Sequence, residues 1–266
     1  MLKDITIGQY IPGNSLIHRL DPRTKILAVI IYMTALFIIN NAIGYYFILL
    51  FSLNIILLSR VPIRYYLKGL KPLLIIIILT VSLHIFMTPG TVIGELGPLA
   101  ITKEGVKQGV FMGTRLILLV TVTSVLTLTT TPIALTDGIE RLLNPFKKVG
   151  VPAHELAMMM TIALRFIPTL IEETDKIMKA QMARGADFES GNIMQRAKAL
   201  IPLLVPLFLG AFRRADDLAM AMEARCYRGG ENRTRMKQLK YTSLDAGTMF
   251  ITTIFLVFSI YTRIVG

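Results

Sequence analysis

The chain of 266 residues is 53% hydrophobic and 17% charged, with a mean hydropathy of +0.60, which is far more apolar than an average soluble domain. Its net charge of +12 comes from basic residues that flank apolar runs, where the positive-inside rule places them, so the charge reads as membrane topology and nucleic acid is excluded as a partner. A single cysteine, Cys226, rules out an internal disulfide and a cysteine metal cluster.

Residues 1–25 are a basic lead-in ending in Arg19, Asp21, Pro22, Arg23 and Lys25. The apolar run Ile26 to Ile39 reaches spanning length, about 17 to 20 residues, only if its helix begins near Pro22, a residue suited to a first turn. The sequence thus predicts a short first span over 22–40, retained and not cleaved as a signal. Asn40-Asn41 ends it, and a second span over 43–59 returns with Tyr45 and Tyr46 at the outer interface. Arg60, Arg64, Lys68 and Lys71 follow without an acidic residue, which marks an inside loop. A third span covers 72–87, an outside loop 88–104, and a fourth span, rich in Val, Thr and Leu, 106–130. Residues 1–130 therefore read as an N-terminal transmembrane region.

Over 131–246 apolar residues mix with charges at helical spacing. A stretch of about 110 residues is too long for a structureless loop, so a cytoplasmic helical domain is expected. Its first helix runs from about Leu135 to Lys148 and stops at Gly150. A second begins at Pro152, is interrupted at Pro168 and ends at Gly185; a third runs from about Ile193 through Pro202 and Pro206 to Arg225. The prolines should bend both long helices. Residues 247–266 supply a last span, which puts the N-terminus inside and the C-terminus outside. The fold class expected is an all-α integral membrane protein with about five transmembrane helices and a cytoplasmic coupling domain of long crossed helices.

Catalytic patterns are missing from the sequence. A P-loop needs Gly-Lys before Ser or Thr, and Gly-Lys does not occur. His18, His84 and His154 lie in three separate regions without partners at metal-ligand spacing. Glu172-Glu173 lacks the company of an intramembrane metalloprotease and reads as part of a solvated helix face. No catalytic residue, metal or cofactor is expected. His84 and Arg115 are the embedded basic side chains, and ionisable groups in spans are candidate functional residues, although both lie near enough to a span end or turn to snorkel.

The most informative feature is a repeat. Met182-Ala183-Arg184-Gly185 and Glu223-Ala224-Arg225-Cys226 superpose without a gap at an offset of 41 residues, with Asp175 falling on Asp216, Ile177 on Leu218 and Ala180 on Ala221. A basic residue in a last helical turn meets the unpaired carbonyls and partial negative charge there, and ordinary capping explains either copy alone. Two matched copies point to a device used twice, in which each Arg projects its donors past a helix end towards a carboxylate on a partner.

In these residues the chain resembles the transmembrane coupling subunit, the T component, of energy-coupling factor (ECF) transporters. Ala183-Arg184-Gly185 and Ala224-Arg225-Cys226 look like that family's paired Ala-Arg-Gly signatures, with Cys226 where Gly is usual, and Leu20-Asp21-Pro22-Arg23-Thr24-Lys25 looks like its N-terminal signature. The resemblance implies that each Arg-tipped helix docks in one of two related ATP-binding cassette (ABC) ATPase subunits, with Arg228, Asp175 and Asp216 as possible supports. It also implies that ATP is bound by those partners, and that a separate membrane-embedded S component carries the vitamin or micronutrient. The location implied is the prokaryotic cell membrane. Two rivals are a carrier that binds its own solute and a membrane-embedded enzyme; the second has no acid, base or nucleophile constellation to support it.

Overall fold

The computed structural model describes residues 10–96, 99–188, 192–230 and 238–265. They divide into two compact units, one within Gly8–Gly138 and Gln238–Gly266, the other within Ile139–Lys237. The architecture is all-α apart from one small hairpin among the described residues.

The first unit opens with a single turn, α1 (Leu16–Arg19), and α2 (Pro22–Ile38). Asp21 caps α2 by accepting the Arg23 N–H, with Pro22 at the first helical position, so the helix starts where the sequence places it. Helix α3 (Ala42–Ser59) is capped by Asn41, whose side chain accepts the Gly44 N–H. The basic segment after it is a short amphipathic helix, α4 (Ile63–Leu70), which passes through a 3-10 turn (Lys71–Leu73) into α5 (Leu74–Met87). The expected outside loop over 88–104 contains an antiparallel hairpin of β1 (Val92–Leu96) and β2 (Leu99–Thr102). It leads into α6 (Lys103–Thr129), the longest helix of this unit.

The core of this unit is Tyr32, Leu36 and Ile39 on α2, Tyr45 and Ile48 on α3, and Leu118 and Val122 on α6. Of the two tyrosines expected at the outer interface, Tyr45 is buried against protein, its ring stacked on Phe111 at 4.5 Å, while Tyr46 is exposed. Helix α6 meets α5 through Gly105, Gly109 and Gly113, spaced four residues apart on one face. A Cβ at Gly105 would lie 2.7 Å from the His84 carbonyl oxygen, and one at Gly113 would lie 2.9 Å from a Val81 methyl. Small residues in this spacing let two membrane helices approach at backbone distance.

Helix α7 (Pro132–Leu143) starts three residues before its expected position and carries the boundary between the units. In the second unit a 3-10 segment (Asn144–Val149) ends at Gly150, and α8 (Ala153–Ala183) runs unbroken through Pro168. The expected interruption is absent because one lost N–H bond is tolerated when several turns flank it on both sides. The third long helix is instead split at Leu200 into α9 (Ile193–Ala199) and α10 (Ile201–Ala224). Pro202 then falls in the first turn of α10, where its missing N–H has no intrahelical partner to lose.

Helix α11 (Ser243–Val265) begins four residues before the expected start at 247 and packs on α2 in the first unit. Among the described residues five helical stretches are long and apolar enough to cross a membrane: α3, α4 with α5, α6, α8 and α11. Helix α2 has 17 residues, about 25 Å of helix, and α8 lies in the stretch read from sequence as cytoplasmic.

Candidate functional site

Both predicted arginine tips are helix ends of one design. At the end of α8, the Gly185 N–H donates to the Met182 carbonyl at 2.9 Å and the Ala186 N–H to the Gln181 carbonyl at 3.0 Å. At the end of α10, the Cys226 N–H donates to Glu223 O at 2.8 Å and the Tyr227 N–H to Met222 O at 3.0 Å. These are two Schellman motifs in the same register, with Arg184 and Arg225 as the cap residues. The motif requires a left-handed residue after the cap. Gly185 takes φ +89°, and Cys226, which lacks glycine's freedom, takes φ +55° in the same place. The departure from Gly in the second copy leaves the cap geometry intact. Ala183, Arg184, Gly185, Ala224, Arg225, Cys226 and Arg228 are all exposed.

The two helices are held as a pair. Glu173 on α8 and Arg214 on α10 form an ion pair at 2.5 Å, so Glu173 is not simply part of a solvated face, whereas Glu172 is exposed. Glu173 and Arg214 are themselves 41 residues apart, equivalent positions of the repeat. Each lies eleven residues before its arginine tip, about 16 Å along its helix. Around the pair, Ile162, Phe166 and Leu170 of α8 face Ala211, Leu218 and Met222 of α10 across an apolar groove of about 310 Å³. Asp175 and Asp216 stand nine residues before the tips, about 13 Å away along the helix, and Asp175 pairs with Lys179 at 2.7 Å.

The residues after the second tip are tied to the start of α8. The Tyr227 hydroxyl lies 3.3 Å from His154 Nε2 and 3.1 Å from the Met158 sulfur, and His154 Nδ1 lies 3.1 Å from Glu140 Oε1 on α7. Gly230 packs on the His154 ring, where a Cβ would clash with Cδ2. Sequence reading left His154 unassigned, because the residues that meet it are 14 and 73 positions away.

The N-terminal signature is a knot of helix ends in the other unit. The Asp21 N–H donates to Asp245 Oδ1 at 2.8 Å, and Asp245 Oδ2 accepts the Thr242 N–H and hydroxyl at 2.8 and 2.7 Å. Arg23 donates through Nε and Nη2 to the Asp21 carboxylate and lies over the Tyr241 ring at 3.8 Å. Lys25 donates to Thr129 O at 2.9 Å and Thr130 Oγ1 at 3.2 Å. The signature thus fastens the start of α2 to the start of α11 and the end of α6. Its distant half carried a readable signal, since Thr242-Ser243-Leu244-Asp245 has the Thr-x-x-acid pattern of a capping box before an apolar run.

The two embedded basic residues have local partners. His84 Nδ1 lies 2.9 Å from the Thr80 carbonyl one turn back, and Arg115 Nη2 donates to Ile39 O at 2.8 Å and Asn40 Oδ1 at 3.2 Å. Arg115 thereby caps the C-terminus of α2 from a neighbouring helix, where an unpaired carbonyl and the helix dipole favour a cation. Among the described residues no group of three or more His, Cys, Asp and Glu is placed to hold a metal ion.

The cobalt transport protein family CbiQ matches residues 13–236. The chain is similar to curated proteins named energy-coupling factor transporter transmembrane protein EcfT. That of Thermosediminibacter oceani is 66% identical over 264 residues, covering 99% of this chain and all of that protein. That of Clostridium kluyveri is 59% identical, covering 99% and 98%, and that of Bacillus subtilis 52% identical, covering 94% of each.

Proposed function

The chain belongs to the CbiQ family of transport proteins, and on that premise we propose that its two matched arginine tips are the contacts through which ATP-driven motion enters the membrane. It is the multi-pass transmembrane energy-coupling component of an ECF transporter, and it works within a complex of other subunits. The partners assigned here are two ABC ATPase subunits, one per tip, and a membrane-embedded S component that holds the vitamin or micronutrient. ATP sits on the ATPases, and this chain contributes coupling without a catalytic residue or cofactor of its own. The N-terminus and the tips face the cytoplasm and the C-terminus faces outward, a reading supported by the acid-free basic segment Arg60 to Lys71.

The observation that carries this reading is the identity of the two caps. Exposed Arg184 and Arg225 end long helices through the same hydrogen bonds, and two equivalent elements fit two equivalent receptors. A guanidinium entering a partly desolvated acidic groove contributes about 2 to 5 kcal/mol when its removal leaves a carboxylate unpaired. Small Ala183 and Ala224 beside the arginines allow close backbone approach.

The test is co-purification from native membranes of the tagged wild type beside the Arg184→Ala, Arg225→Ala double variant, with partners identified and ATP hydrolysis assayed. Two cassette ATPases and a small membrane protein should accompany the wild type, and the ATPases should be lost from the variant. A wild type that emerges alone and binds a solute would replace this reading with that of a stand-alone carrier.

A further inference from the structure

Where the α2–α3 turn meets the middle of α6, a cavity of about 280 Å³ is lined by Asn40, Tyr45, Gln108, Phe111, Met112 and Arg115. Its donors are in excess. Arg115 commits Nη2 to Ile39 and Asn40, and Nη1 reaches only the Met112 sulfur at 3.7 Å. Arg115 Nε is buried without an acceptor. Tyr45 is 4% exposed, and its hydroxyl neighbours the Arg115 guanidinium without a well-formed hydrogen bond to it or to any other group. Gln108 accepts the Thr88 hydroxyl through Oε1, which leaves its amide N–H groups as further donors, and Lys107 stands 5.8 Å from the Phe111 ring. No ion pair joins Arg115 to a carboxylate among the described residues.

Buried donors without acceptors are costly, and two of the five unpaired buried side-chain atoms among the described residues, the Tyr45 hydroxyl and Arg115 Nε, lie at this one cavity. Here a buried hydroxyl and a buried guanidinium N–H line the same pocket beside a positive charge that meets a helix end but no carboxylate. The group that satisfies them together is an anion with several acceptor oxygens. A volume of about 280 Å³ is at the small end for ligand pockets and suits a phosphate group better than a whole cofactor. Phe37, Ile43 and Tyr46, all exposed on the adjoining helices, give the rim an apolar flank of the kind that faces acyl chains.

We propose that this cavity binds a phosphate oxyanion, presented by a phospholipid headgroup, through Arg115 Nε, the Tyr45 hydroxyl and the Gln108 amide. The lipid would then brace the turn between α2 and α3 against α6.

The test is native mass spectrometry of the full-length chain in detergent, titrated with dihexanoyl phosphatidylglycerol and separately with inorganic phosphate. Tyr45→Phe keeps the ring stacked on Phe111 and removes only the hydroxyl; Arg115→Gln removes the charge. One saturable lipid should bind the wild type, and each variant should weaken it about tenfold or more, the loss expected for a hydrogen bond to a charged group. If Arg115→Gln does not fold, Tyr45→Phe decides alone. Saturable binding of inorganic phosphate that displaces the lipid and weakens in the variants keeps the oxyanion site and names a free anion as its ligand. Equal lipid binding by wild type and variants, with no phosphate binding, would overturn the proposal and leave the donors to water.

Discussion

Glu173 and Arg214 are equivalent positions of the 41-residue repeat, and they meet each other in the ion pair that joins α8 to α10. Equivalent positions in contact imply a local two-fold relation between the helices, with each tip the same distance from the crossing. A frame of this kind delivers a displacement at either arginine to one shared point. The pair is partly buried, with side-chain exposures of 25% and 33%, so solvent screens it only in part.

Reversing this pair tests the frame. Glu173→Arg or Arg214→Glu alone should place like charges together and lower both stability and coupled uptake, whereas the double exchange should recover most of the loss. A double-mutant cycle on thermal unfolding in detergent should return a coupling energy of about 1 kcal/mol. A cycle that sums to zero would mean the helices are held by the apolar groove alone.

Cys226 stands in the left-handed region at φ +55°, where a side chain costs roughly 1 to 2 kcal/mol, while glycine loses about 0.5 to 1 kcal/mol more backbone entropy on folding. Cys226→Gly should therefore stabilise the chain by at most about 1.5 kcal/mol and leave ATPase association unchanged. Gly185→Val, a branched residue forced to φ near +89°, should instead destabilise the first tip. Melting temperatures of the two variants beside the wild type check both signs.

Asp245 is 1% exposed and accepts from Asp21, from Thr242 N–H and from the Thr242 hydroxyl. Asp245→Asn keeps one acceptor oxygen and turns the other into a donor that faces donors. The expected loss is roughly 1 to 3 kcal/mol, visible as a lower melting temperature and reduced membrane abundance. An unaltered melting temperature would show that the knot of helix ends is held by apolar contacts.

The glycine face of α6 predicts a sharp positional contrast. Gly105→Ala brings a methyl to 2.7 Å from the His84 carbonyl and 2.8 Å from that of Ile85, so α5 must shift, at a cost of about 1 to 3 kcal/mol. Gly94→Ala in the hairpin meets nothing within 4 Å and should be neutral. Thermal unfolding of the two single variants separates a packing role for the α6 face from a general effect of added methyl groups.

The sequence alone determined what depends on local patterning. Apolar run length and the flanking charges gave a multi-pass all-α protein, Asp21-Pro22 gave the start of α2, and two aligned copies of Ala-Arg gave the paired tips. Each of these signals lies within a few turns of chain, where capping and periodicity act. Tertiary structure decided the rest. Pro168 is carried inside α8 while the third helix breaks at Leu200, because a helix tolerates one missing bond in its middle but starts readily with Pro202 in its first turn. The partners of Asp21, Arg115 and His154 lie 224, 76 and 73 positions away along the chain. No periodicity records such pairings, since buried donors and acceptors find each other only once the helices that carry them have packed.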